Sequence, residues 1–135
     1  MSLTLAVRRA KLLAIRDHID AGGGGAVHIF GSTRPATGEP SAEPPLLIGA
    51  FGPVSFALHA TYAILTCTLE ANVAVSGLPV WARFVDGAGV AVMDMSAGLP
   101  GSGAQVIVSD GQPVPSMQMY VGGLVTINCS LMEPE

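Results

Sequence analysis

Val80-Trp81-Ala82-Arg83-Phe84-Val85-Asp86-Gly87-Ala88-Gly89-Val90-Ala91-Val92-Met93-Asp94-Met95 reads as a β-hairpin. Two β-prone runs, Val80 to Asp86 and Val90 to Met95, flank Asp86-Gly87-Ala88-Gly89, and Asp-Gly supplies the positive φ angles of a tight turn. Side chains alternate across a strand, so Trp81 and Phe84 are expected on opposite faces, one in the core and the other nearer a second layer or interface. Val85 shares the face of Trp81, with Arg83 between them. Asp94 is the one carboxylate inside an apolar strand, and it is expected to face outward.

The same pattern extends on both sides of this hairpin. Ala26 to Phe30 is short and β-prone. Ser32 to Pro45 is a loop rich in Pro, Gly, Ser and Thr. Leu46 to Phe51 and Val54 to Leu58 are apolar runs broken by Gly52-Pro53. Thr61 to Leu69 alternates, with Tyr62, Ile64, Thr66 and Thr68 facing one way and Ala63, Leu65, Cys67 and Leu69 the other. Asn72 to Ser76, Ala104 to Ser109, Met117 to Val121 and Leu124 to Leu131 complete a set of about nine short strands at a spacing of roughly 8–12 residues, the pattern of a sandwich or jelly roll. No long helical pattern follows residue 20, which argues against a βαβ fold. The expected class is therefore all-β, a jelly roll or β-sandwich with one N-terminal amphipathic helix. Residues Pro44 to Leu69 carry no charge and are long enough to span a bilayer. Their prolines, glycines and polar alternation argue against a transmembrane helix.

Residues 4 to 20 form the expected helix. Thr4 is its N-cap, and Leu5, Leu12, Ile15 and Ile19 make an apolar stripe. The opposite face carries the smooth row Ala6, Ala10 and Ala14. Four of the six basic residues, Arg8, Arg9, Lys11 and Arg16, belong to this segment. Ala6, Arg8, Arg9, Ala10, Lys11, Ala14 and Arg16 are accordingly the candidate interface residues. Gly22 to Gly25 then end the helix. A phosphate-binding loop needs the reverse order, with glycines leading into a helix N-terminus. The chain divides into residues 1–25, helix and glycine hinge, and 26–135, the β domain, within a single domain overall.

Composition points away from a free monomer. Only 12% of the 135 residues are charged, 50% are hydrophobic, and the mean hydropathy is +0.53. An average soluble domain is about 25% charged. Sixteen charges cannot cover the exterior of a chain this long, so much of its surface must be neutral or apolar, as in subunits buried within assemblies. The net charge of −4 lacks the basic footprint of a nucleic-acid binder. The arginines within the first apolar stretch are also unlike a secretory signal.

Residue types that carry chemistry are present without the spacing that chemistry needs. His18, His28 and His59 are scattered and match no metal-ligand motif. No nucleophile elbow occurs. Cys67 and Cys129 read as two buried strand thiols, with a single bridge between them left open. The expectation is no catalytic residue, no cofactor and no metal.

The segment Ala14-Ile-Arg-Asp-His-Ile-Asp-Ala-Gly-Gly-Gly-Gly25, followed by Ala26-Val-His-Ile-Phe30 and Arg34-Pro-Ala-Thr37, resembles the opening of a family of small bacteriophage proteins. Trp81 to Asp94 is similar to that family's central hairpin. The stretches cover about a third of the chain and are structural rather than catalytic. The family is that of capsid cement, or decoration, proteins of tailed phages, which adopt jelly-roll folds. The resemblance implies a non-enzymatic virion subunit on the capsid exterior, assembled in the host cytoplasm. Its partners would be the major capsid protein and copies of itself on a lattice, with no direct nucleic-acid contact and no membrane. A tail or head–tail joining subunit is the nearest alternative. A carbohydrate-binding β-sandwich module is a third, but it needs exposed aromatics, and Trp81, Tyr62 and Tyr120 are few and embedded in alternating runs.

Overall fold

A computed structural model describes residues 2–110 and 119–132. The elements are α1 (Leu5–Asp20), β1 (Ala26–Phe30), β2 (Leu47–Ala50), β3 (Ala57–Leu58), β4 (Ile64–Asn72), β5 (Trp81–Val85), β6 (Ala91–Gly98), β7 (Val106–Ser109) and β8 (Leu124–Met132). The described residues are mostly β, with a single helix among them, at the N-terminus. The strands form one mixed sheet in the order β2-β1-β5-β6-β7-β8-β4-β3.

Thr4 begins α1 as expected, its Oγ1 accepting from the Val7 amide at 3.3 Å. Leu12 and Ile19 bury the inner stripe, while Leu5 remains 40% exposed. The glycine run is a packed corner rather than a loose hinge. Gly22, Gly23 and Gly24 all take positive φ. The Gly87 amide donates to Ala21 O at 2.8 Å. A Cβ on Gly25 would lie 2.3 Å from Val85 O, and one on Gly87 would lie 2.3 Å from Gly22 O. Glycine is required at both positions because backbone meets backbone there.

β5 and β6 pair antiparallel, with a bulge between Phe84 and Val85. Asp86 organises the turn, its Oδ1 accepting from the Ala88 and Val90 amides at 2.9 Å. The positive φ falls on Gly89, not on Gly87, so the second glycine turns the chain and the first allows close approach to the helix corner.

β6 joins the two halves of the sheet. Its first part pairs with β5, and its last residues, Ala97 and Gly98, pair parallel with β7. The sheet curls until β2 packs over β4 and β8: a Cβ on Gly49 would come 2.6 Å from Leu69 Cδ1 and 3.2 Å from Ile127 Cδ1. Val27, Ile29, Leu47 and Phe84 fill the interior from one half, and Leu65, Val106, Val108 and Ile127 from the other. Each such side chain, fully buried, contributes about 1.5–3 kcal/mol. Phe84 stacks on Phe51 and meets Phe56 at a tilt within this interior.

Several expectations shift. Asn72 to Ser76 is not a separate strand. Asn72 ends β4, and the Ala74 and Val75 amides turn to Leu46 O. Val54 to Leu58 shortens to β3, because the Ser55 amide is taken by Asp20 Oδ1 at 2.9 Å. Of the expected strand Met117 to Val121, Met117 lies outside the described residues, and Met119 makes an isolated bridge to Gly77. The uncharged stretch Pro44 to Leu69 supplies β2, β3 and most of β4. Among the described residues no helix is long and apolar enough to cross a membrane.

Candidate functional surfaces

The densest polar cluster lies on the outer face of β5 and β6. Alternation places Trp81, Arg83 and Val85 opposite Ala82 and Phe84, and Phe84 joins the main core whereas Trp81 does not. Trp81 instead stacks on Phe30 with ring centroids 4.2 Å apart, and the Arg83 guanidinium lies 5.0 Å from the Trp81 ring. Arg83 pairs across the strands with Asp94. Its Nε donates to Asp94 Oδ1 at 2.8 Å and its Nη2 to Oδ2 at 3.0 Å. The loop between β1 and β2 closes over the pair: the Gly38 amide donates to Asp94 Oδ2 at 3.1 Å, Arg34 Nη2 to Asp94 O at 3.0 Å, and Arg83 Nη2 to Glu39 O at 2.6 Å.

Asp94 therefore does not face solvent, as its place in the strand suggested. Its side chain has no exposure at all. Burial opposes the carboxylate charge, but the Arg83 hydrogen bonds, the Gly38 amide and the nearby cations outweigh it and hold the group below its ordinary range. His28 faces Arg83 across β1 and β5. Burial, and then the Arg83 charge, push its pKa below the ordinary value. Every partner of Asp94 comes from its own chain. The cluster pins a loop onto the sheet.

The helix presents a second surface. Ala6, Ala10 and Ala14 are all exposed, along with Lys11. Arg9 is turned inward, its Nη1 donating to His59 O at 2.8 Å and Tyr62 O at 2.9 Å. It therefore docks α1 onto the loop before β4. Arg16 sits 3.5 Å from its neighbour Asp17. The structure thus leaves the alanine row open, while at least one of the candidate interface arginines holds the helix in place.

A third surface lies at the end of the sheet where β4 finishes and β8 begins. Residues 73–77 and 119–123 run side by side: the Val73 amide donates to Gly123 O, Gly122 N to Val73 O, and the Gly77 and Met119 amides to each other's carbonyls, at 2.8–2.9 Å. Ser76 Oγ accepts from the Val121 amide at 2.9 Å. This end carries Val75, Leu78, Val80, Tyr120, Val121 and Leu124, all more than 40% exposed. They are six of the thirteen large hydrophobic side chains exposed among the described residues. No charged residue occurs between Glu70 and Arg83, or between Asp110 and Glu133. Scattered exposed apolar residues need no explanation, but a cluster without charge marks a contact site.

Other chemistry-bearing residues have structural work. His59 Nδ1 accepts from the Thr61 and Tyr62 amides at 3.0 and 3.1 Å. Among the described residues, no three His, Cys, Asp or Glu side chains gather as a metal site. A shallow depression of about 560 Å³ over β4, β7 and β8 is lined by Thr66, Cys67, Thr68, Gln105, Asn128, Cys129 and Ser130 among others, and no aromatic or charged group lines it among the described residues. The chain matches no protein-family model, no curated protein and no solved structure.

Proposed function

We propose that this protein is a non-enzymatic structural subunit, a capsid cement or decoration protein that binds the head shell of a tailed bacteriophage and stabilises it. The observation that carries the reading is the uncharged apolar end formed by residues 73–80 and 119–124. A small chain with sixteen charges and such an end disperses poorly alone and packs readily against another chain. Many copies, each burying a modest area, add avidity across a lattice without any single strong contact.

In this reading the curled sheet is a jelly-roll or sandwich form, supported by β2 packing over β4 and β8. The partners are the major capsid protein and neighbouring copies, on the outside of a shell assembled in the host cytoplasm. One feature favours structural work: the buried Arg83–Asp94 pair is satisfied within its own chain by the Gly38 amide and the Glu39 carbonyl. A carbohydrate-binding role has less support, because Tyr62 and Tyr120 sit at opposite ends of β4 and Trp81 is buried.

The test compares particles with and without the protein on heating. Particles lacking it release DNA at a lower temperature, most clearly at low salt, where packed DNA repels itself most strongly. Unchanged release together with labelling at the tail alone would reject the cement reading and leave the joining-subunit alternative.

A further inference from the structure

Cys67 and Cys129 stand directly opposite each other on β4 and β8. They are 62 residues apart in the chain, and only the pairing of these two strands brings them together. Directly opposed residues of an antiparallel pair project from the same face, with Cβ atoms about 4.5–5.5 Å apart. A disulfide needs Cα atoms about 4.4–6.8 Å apart and Cβ atoms about 3.5–4.5 Å apart, so a small cross-strand adjustment suffices. The pair sits inside the ladder from Ile64↔Met132 to Asn72↔Leu124, which fixes its register on both sides. Both are free thiols facing the interior, 6% and 4% exposed. Cys129 Sγ lies 3.9 Å from Met95 Sδ across the core.

We propose that Cys67 and Cys129 are a disulfide-forming pair whose bond the native fold accommodates, formed by exchange with a low-molecular-weight disulfide such as oxidised glutathione. This does not depend on what the protein assembles with. Interaction with Cys129 lowers the Cys67 pKa against the opposing effect of burial, while interaction with Cys67, together with burial, raises that of Cys129. The Cys67 thiolate attacks one sulfur of the small disulfide, expelling one small thiolate and leaving a mixed disulfide. Cys129 then loses its proton and attacks the Cys67 sulfur, expelling the second small thiolate. The two thiol protons pass to the released thiols, and the small disulfide is reduced as the protein pair is oxidised. Burial makes the first step slow and dependent on local opening. Among the described residues, the strand paired along the outer edge of β4 is the two-residue β3, opposite Leu65 and Thr66.

The bond would close a 62-residue loop containing β5, β6 and β7, a constraint on the unfolded chain. The experiment unfolds the full chain and refolds it in a buffer of oxidised and reduced glutathione, which removes access as a variable. The expected product has lost two hydrogens in mass, has no alkylatable thiol after denaturation, and yields one peptide pair linked through Cys67 and Cys129. Its unfolding midpoint lies about 8 °C or more above that of the reduced protein. Cys129→Ser, treated in parallel, gives a glutathione adduct on Cys67 and no midpoint gain. Two free thiols in refolded wild-type protein at equilibrium would overturn the proposal, as would glutathione on both cysteines or a linked dimer in place of the internal bridge.

Discussion

Asp94 is held by three hydrogen bonds, from Arg83 Nε and Nη2 and from the Gly38 amide, and by no water-exposed atom of its own side chain. Removing one partner of such a pair strands the other charge. Asp94→Asn keeps the shape but leaves the buried Arg83 without its hydrogen-bonded counter-ion, and should destabilise the fold by about 3–5 kcal/mol, read from urea denaturation. A loss under about 1 kcal/mol, the size of an exposed pair, would mean that the β1–β2 loop does not close over the pair. The pH dependence has two parts of the same sign. His28 has a folded pKa below its ordinary 6.5, so the unfolded chain binds more protons between the folded value and 6.5, and stability falls as pH drops below 6.5. Asp94 has a folded pKa below 3.8; its contribution is full above 3.8 and is lost as pH falls through the folded value. His28→Gln should remove the first decline and leave the second, measured as denaturation midpoint against pH. An unchanged profile between pH 7 and 5 in that variant would contradict the assignment.

At the scale of elements, the junction between α1 and the sheet is the sharpest packing constraint. A Cβ on Gly25 or on Gly87 would collide with a backbone oxygen, whereas one on Gly52 meets nothing within 4 Å. Gly25→Ala and Gly87→Ala should each cost about 1–3 kcal/mol, while Gly52→Ala stays within about 0.5 kcal/mol; equal effects at all three would refute the packed corner. This corner also marks the boundary of what sequence pattern reveals. The helix, its Thr4 cap, the β5–β6 hairpin and the alternation of β4 were legible because each follows from a local period or a local turn. Asn72 to Ser76 misled because β-prone composition says nothing of a partner, and here Leu46 O takes two of the amides. The burial of Asp94 was hidden for a related reason: the covering loop acts through the Gly38 amide and the Glu39 carbonyl, which any residue possesses. The Cys67–Cys129 register was likewise invisible, since it depends on β8 pairing with β4 rather than on spacing. Of the candidate interface, the open alanine row was legible as a row of small residues. The inward turn of Arg9 was not, because its acceptors are carbonyls 50 and 53 positions away.

For the whole molecule, charge is distributed unevenly around the sheet. The basic helix and the acidic turns leave one end, residues 73–80 with 119–124, without a charge and with Val121 and Leu124 at 64% and 56% exposure. Exposed side chains can be changed at little cost to the fold, so this end and the alanine row can be tested separately. Ion pairs from the helix arginines at the rim of a contact would add at most about 1 kcal/mol each, which assigns most of the binding to apolar packing. The most direct measurement is co-sedimentation of purified protein with head shells that lack it, using Val121→Asp/Leu124→Asp beside Ala6→Glu/Ala10→Glu, each first checked for wild-type circular dichroism. Wild-type protein should bind to a saturating number of copies per shell, the apolar-end variant should lose that binding, and the helix variant should keep most of it. Saturable binding by the apolar-end variant at the wild-type level, or no binding of the wild type to shells, would contradict the account.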